Sequence, residues 1–106
     1  MMDDLTIPIL GAERARLQYP FADLHRSGAI LAMGSDWAVS TADPLQQIEV
    51  AITRVDVHQR TNEPFLPEQR LTLGTAVRGF TAGSAYANHD QDGGVLQAGK
   101  RPTWPS

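Results

Sequence analysis

The sequence predicts an α/β fold, and three observations carry that prediction. Ala29-Ile30-Leu31-Ala32-Met33 is an unbroken apolar run between Gly28 and Gly34, as expected of a strand buried on both faces. That run stops at an acid: Ser35, Asp36 and Trp37 follow Gly34, so a carboxylate lies just past the carboxyl end of the strand. Parallel α/β folds place their chemistry there. The third observation is an amphipathic helix downstream, with Leu45, Ile48, Ala51, Ile52 and Val55 at helical spacing. A single parallel-type strand cannot bury itself, so the expected architecture is one piece of a larger α/β sheet or barrel.

The elements follow in order along the chain. Residues 1–18 show little periodicity; Pro8 and Gly11 punctuate them, and Glu13-Arg14-Ala15-Arg16 suits one helical turn. Tyr19-Pro20-Phe21 opens a short helix, because proline is tolerated in a first helical turn. Phe21 and Leu24 share a face of it, and Gly28 is placed to end it. The strand at 29–34 comes next, then a loop from Trp37 to Ala42. Asp43 is a good N-cap for the amphipathic helix, Pro44 fits its first position, and Gln46 is placed to complete a capping box. Gln59 to Pro67, with two prolines, reads as a surface loop. Thr72 caps a further helix carrying Leu73, Ala76, Val77 and Phe80, and Thr81 to Asn88 reads as a short helix of small residues suited to close packing. Asp92-Gly93-Gly94 and Gly99-Lys100 are turn signals, with Val95-Leu96 as the start of a strand between them. The tail from Arg101 to Ser106 contains two prolines and cannot be a central strand.

Bulk properties narrow the function. With 106 residues the chain suits one small domain, whereas a complete eight-stranded α/β barrel needs about 250. The formal net charge is −3 and the basic residues are scattered, which gives nucleic-acid binding no electrostatic footprint. The absence of cysteine removes disulfides, thiolate zinc sites and a cysteine nucleophile together. No apolar run approaches the ~20 residues of a membrane span, and the acidic start Met1-Met2-Asp3-Asp4 is unlike a secretory signal. These features lead to the expectation of a cytoplasmic protein with no membrane and no nucleic-acid partner.

Several short motifs stand in a specific order. Leu10-Gly11-Ala12-Glu13-Arg14 precedes Tyr19-Pro20-Phe21; then come Ser27-Gly28-Ala29, Met33-Gly34-Ser35-Asp36-Trp37 and Asp43-Pro44-Leu45. Ala51-Ile52-Thr53-Arg54, Pro67-Glu68-Gln69-Arg70-Leu71-Thr72-Leu73, Ala85-Tyr86-Ala87 and Gly94-Val95-Leu96 complete the series. In this order and spacing, over about residues 9–100, the chain resembles the C-terminal part of the metal-dependent amidohydrolase superfamily. Within it, the likeness is to the amidohydrolase 3 group that includes N-substituted formamide deformylases.

The resemblance implies the C-terminal portion of a (β/α)8 TIM-type barrel, with residues 29–35 as its eighth strand and 94–106 as the start of a return to a small β-sandwich. The whole of 1–106 would then be one partial amidohydrolase-like domain. It implies a hydrolase that acts on non-peptide C–N bonds of small-molecule amides with a divalent metal, most often zinc. Asp36 would be both the catalytic acid and base and a metal-site residue. A metal lowers the pKa of its bound water, and a carboxylate within hydrogen-bond reach can take that proton and later return it to the leaving amine. The family's His-x-His pair, its bridging acid or modified lysine and its two further histidines come from segments that have no counterpart here. The expectation is therefore an isolated chain without turnover: either a non-catalytic remnant or interaction module, or one part of a split enzyme completed by an N-terminal amidohydrolase chain. Unpaired strand edges would also favour self-association.

The other candidate residues have plainer readings. His25, His58 and His89 show neither His-x-His nor His-x-x-x-His spacing. His25 belongs to the helix after Pro20, His58 to the end of the amphipathic helix, and His89 to a helix end beside Asp90. Ser35 has no assignable base and reads as a strand-end hydroxyl. Trp37 suits either the mouth of a site or packing over a rim. Arg14 and Tyr19 read as structural contacts.

Overall fold

The computed structural model describes residues 6–101, and its regular elements are all helical. They are α1 (Ile7–Leu10), α2 (Ala12–Ala15), α3 (Phe21–Arg26), α4 (Pro44–Thr53), a 3-10 turn (Pro67–Gln69), α5 (Leu73–Arg78), a π-helical turn (Gly79–Gly83) and α6 (Ser84–Ala87). Local chemistry explains most of the boundaries. Asp43 caps α4 by accepting from the Leu45 N–H at 2.8 Å, with Pro44 at the first helical position. Gln46 makes no capping box; the Asp43 N–H donates instead to the Thr41 hydroxyl at 3.1 Å. Thr72 caps α5 through the Thr75 N–H at 3.2 Å, and Gly28, at φ +89°, turns the chain after α3.

The α/β expectation is overturned, and with it the barrel portion: among the described residues there is no strand, neither at 29–34 nor at Val95-Leu96. A strand is defined by a ladder, and no second segment lies alongside to form one. Residues 30–35 keep the two-residue alternation of a strand, with Leu31, Met33 and Ser35 half-buried and Ile30, Ala32 and Gly34 exposed. Their backbone bonds go to a helix instead. The Met33 N–H donates to the Gly79 carbonyl at 3.0 Å, and the Ser84 hydroxyl donates to the Met33 carbonyl at 2.6 Å and to Gly79 O at 3.0 Å.

These contacts fall on the π-helical turn, where a wider register interrupts the α-helical ladder. Helical backbone angles continue through Gly79, Gly83 and Ser84, so α5, the π turn and α6 form one continuous rod. Glycine is needed in it for a steric reason. A Cβ on Gly83 would lie 1.9 Å from the Leu31 carbonyl oxygen, and one on Gly79 would press on the Met33 side chain at 3.1 Å.

The core is small. Ala22, Ile48, Ala51, Leu71 and Ala76 form its buried cluster, with Phe21, Leu31, Met33, Ile52 and Phe80 packed around it. Ile48 and Ala51 come from the expected face of α4, but Leu45 is exposed and Val55 lies past the end of the helix. That helix stops because Arg54 adopts a left-handed conformation, φ +61°. His58 accordingly sits in a turn at 56–59, where its N–H donates to Asp56, and not on a helix.

Polar groups tie the corner between α3, α4 and the 3-10 turn. Arg54 is 7% exposed; its guanidinium lies 6.0 Å from the Phe21 ring and 5.7 Å from the Phe65 ring, and its Nε donates to Phe65 O at 2.9 Å. Burial holds its pKa below the usual arginine value, with the nearby Glu68 charge opposing. Gln69 and Asp23 exchange two bonds, Asp23 N–H to Gln69 Oε1 at 3.1 Å and Gln69 Nε2 to Asp23 Oδ2 at 2.7 Å. The Leu71 N–H donates to Ala51 O at 2.9 Å.

The shape is open. The radius of gyration is 15.4 Å, against about 13 Å for a compact domain of this length. No described helix is long and apolar enough to cross a membrane.

Candidate functional site

Asp36 stands where the docked segment 29–35 gives way to the loop before α4. Its backbone is left-handed, φ +51°, a conformation that aspartate tolerates better than most residues. The Val39 N–H donates to Asp36 O at 2.8 Å and closes a turn there. Gln47, on α4, spans the two ends of the loop: its Nε2 donates to Ser35 O at 2.8 Å and to Thr41 O at 3.1 Å. The backbone on either side of Asp36 is thereby held to a helix. The carboxylate itself is exposed and makes no hydrogen bond or ion pair among the described residues. Trp37 beside it is also exposed.

Gln47 is the residue that sequence reasoning missed. The sequence signal was misassigned by one position: a glutamine near the start of α4 was expected to serve the helix end through Gln46, and the neighbouring Gln47 serves the loop instead.

The other candidates are not gathered around Asp36. His25 lines a groove of about 380 Å³ with Gly28, Ile30, Arg78, Gly83 and Tyr86. His89 lines a separate, similarly shallow groove with Asp90 and Lys100. His58 lies in its exposed turn, and Ser35 contributes its carbonyl to the Gln47 clamp. Arg14 is exposed, and the Tyr19 ring, with its backbone at φ +51°, lies 5.9 Å from the Phe21 ring at a tilt of 51°.

A catalytic zinc takes three protein ligands and a water. Among the described residues no group of three or more His, Cys, Asp or Glu side chains comes together. At this loop Asp36 is unpaired and the Asp43 carboxylate is taken up in capping α4, so the described residues do not by themselves fit a metal centre.

Comparison with known proteins gives this loop its context. A family model described as "Amidohydrolase family" matches residues 1–101. "Protein LONG AFTER FAR-RED 3" of Arabidopsis thaliana is 34% identical over 93 residues, covering 86% of this chain and 16% of that protein. The Bacillus subtilis (strain 168) protein named "Putative amidohydrolase YtcJ" is 29% identical over 76 residues, covering 72% of this chain and 14% of that protein. The chain thus spans a small part of the length of either relative. No solved structure matches it. With a family match over nearly its full length, a helix-anchored loop presenting one free carboxylate, and a relative identical at a third of aligned positions, this chain belongs to the amidohydrolase family.

Proposed function

We propose that this chain supplies the proton-handling carboxylate of a small-molecule amidohydrolase, Asp36, and has no turnover by itself. The observation that supports this reading is the pairing of family membership with a carboxylate left free on a clamped loop. Asp36 is the group suited to accept a proton from an attacking water and to return it to the amine as the C–N bond breaks. The family is generally metal-dependent, and the metal-binding residues would come from a further stretch of polypeptide, because no group of three or more possible ligands comes together among the described residues. The subgroup of N-substituted formamide deformylases is the finer assignment, and residues 1–106 act as one partial domain of that enzyme.

The test mixes the purified chain with an N-terminal amidohydrolase segment that carries a His-x-His pair. Expected is amide hydrolysis by the mixture, none by either part, and loss of at least a hundredfold with Asp36→Asn. Elemental analysis of the chain alone is expected to find far less than one equivalent of zinc. Stoichiometric metal in the isolated chain, or an unchanged rate with Asp36→Asn, would overturn the reading. A mixture that never turns over would favour a non-catalytic interaction module, which the small core and unpartnered surface also suit.

A further inference from the structure

Taking Asp36 as the proton-handling group proposed above, we propose that Gln47 is its positioning residue: it fixes the carboxylate for proton transfer by tying the backbone on both sides of it to α4. A glutamine amide has two donors, both on Nε2. Gln47 spends them on Ser35 O at 2.8 Å and Thr41 O at 3.1 Å. The opposite setting of the amide would press its oxygen on two carbonyl oxygens, so the side chain has one favourable orientation.

The stretch between those two anchors has little else to hold it. Residues 36–40 are all exposed, so no buried side chain pins them. Asp36 also adopts a left-handed backbone, φ +51°, which costs energy in any residue with a Cβ. The bonds inside the loop are local: Val39 N–H to Asp36 O at 2.8 Å, and Asp43 N–H to the Thr41 hydroxyl at 3.1 Å. Among the described residues, Gln47 is the side chain that bonds the flanks of Asp36 from outside the loop. It precedes Ile48, which belongs to the buried cluster, so the clamp refers the loop to the core.

Proton transfer is what makes this matter. A general base works only within about 2.6–3.2 Å of the proton it takes, and a misplacement of about 1 Å can cost about a hundredfold in rate. An exposed loop with few contacts opens readily, whereas one tied at both ends to a packed helix keeps its carboxylate in place.

The test compares Gln47→Ala and Gln47→Glu with the parent chain by amide hydrogen exchange. Val39 reports on the loop through its bond to Asp36 O, and Ala76, bonded to Thr72 O, reports on the rest of the fold. In Gln47→Ala, Val39 exchange is expected to quicken at least about tenfold while Ala76 keeps its rate. Gln47→Glu presents only acceptors when ionised and regains one donor when protonated. Relative to the parent at each pH, Val39 should therefore be unprotected at about pH 8 and partly protected again at about pH 5, because burial against two carbonyls raises the carboxyl pKa. This recovery decides the matter should Gln47→Ala disturb the whole fold. In the mixture with the N-terminal segment, Gln47→Ala is expected to lower kcat about tenfold or more with KM within about twofold. Asp36→Asn with Gln47→Ala should be no slower than Asp36→Asn alone, since Gln47 acts through Asp36. Unchanged Val39 exchange in Gln47→Ala, a Gln47→Glu defect that is the same at both pH values, or an unchanged kcat would overturn this inference and leave the role of Asp36 intact. A mixture that does not turn over, or that Asp36→Asn does not slow, would overturn the hydrolase reading and this inference with it.

Discussion

Two regions of this small molecule handle their polar groups in opposite ways. At the corner of α3, α4 and the 3-10 turn, the buried Arg54 bonds the Phe65 carbonyl and Gln69 exchanges two bonds with Asp23, and the Arg54 Nη2 is the buried side-chain atom left without a partner among the described residues. Along residues 29–37, one side of the segment is bonded to the helical rod and to Gln47, and the other side meets nothing among the described residues. All but one of the corner's buried polar side-chain atoms find partners within it. The segment stays open, and it carries the unpaired carboxylate of Asp36. The difference teaches where the chain meets its own polar groups and where it leaves them exposed.

The largest expected effect tests the closed region. Arg54→Ala removes two ring contacts and leaves the Phe65 carbonyl unpaired, so a loss of about 3 kcal/mol is expected in denaturant unfolding. A change below about 1 kcal/mol would show that the corner does not hold the fold. Gly83→Ala tests the bonded side of the open region. Its Cβ would meet Leu31 O at 1.9 Å, so the segment must lift from the rod, at a cost of about 2 kcal/mol. Met33 amide exchange should quicken with it; an unaltered rate would mean that the segment docks elsewhere.

Gln69→Ala should cost about 1 kcal/mol through its two lost bonds and should also change the acid limb of stability. Gln69 is the main cause of a lowered Asp23 pKa, with Arg26, which is hydrogen-bonded to Asp23, second. The Asp92 N–H is the main cause of a lowered Asp90 pKa, with the Arg101 charge a further contributor. A carboxylate whose native pKa is depressed stabilises the fold above the ordinary value of about 3.9 and loses that contribution as pH falls through its native value. Thermal melts of the parent chain should therefore fall below about pH 4. Gln69→Ala should flatten the Asp23 part of that fall and leave the Asp90 part. Asp36→Asn should have the smallest effect on folding, within about 0.5 kcal/mol, because the carboxylate has no partner to lose. A larger shift in its melt would place Asp36 in the structure of the chain.

Much of the local structure was legible in the residues. The Tyr19-Pro20-Phe21 start of α3, the Asp43-Pro44 start of α4 and the Thr72 cap of α5 follow from side-chain chemistry within a few positions, and the structure forms all three. The end of α4 was not legible, because Arg54 takes a left-handed conformation for contacts with Phe21 and Phe65 that lie far away in sequence. The strand at 29–34 was misread for a related reason. Periodicity and apolar content report what a segment could pair with, not whether a partner is present, and here its hydrogen bonds go to a π-helical turn. At the candidate site, Asp36 stood out by its position after the apolar run, whereas the Gln47 clamp depends on how α4 packs against the loop.

By itself, the sequence determined the helix starts, the alternation across residues 30–35, the place of Asp36 and the likeness to a family of amide hydrolases. These rest on neighbouring residues and on motif order, which need no fold to be read. Only the tertiary structure decided that the apolar run lies against a helix and not in a sheet, that Gly79 and Gly83 make room for it, and that no cluster of metal ligands assembles among the described residues. Those outcomes depend on which backbone groups find partners across the chain, and that is a property of packing.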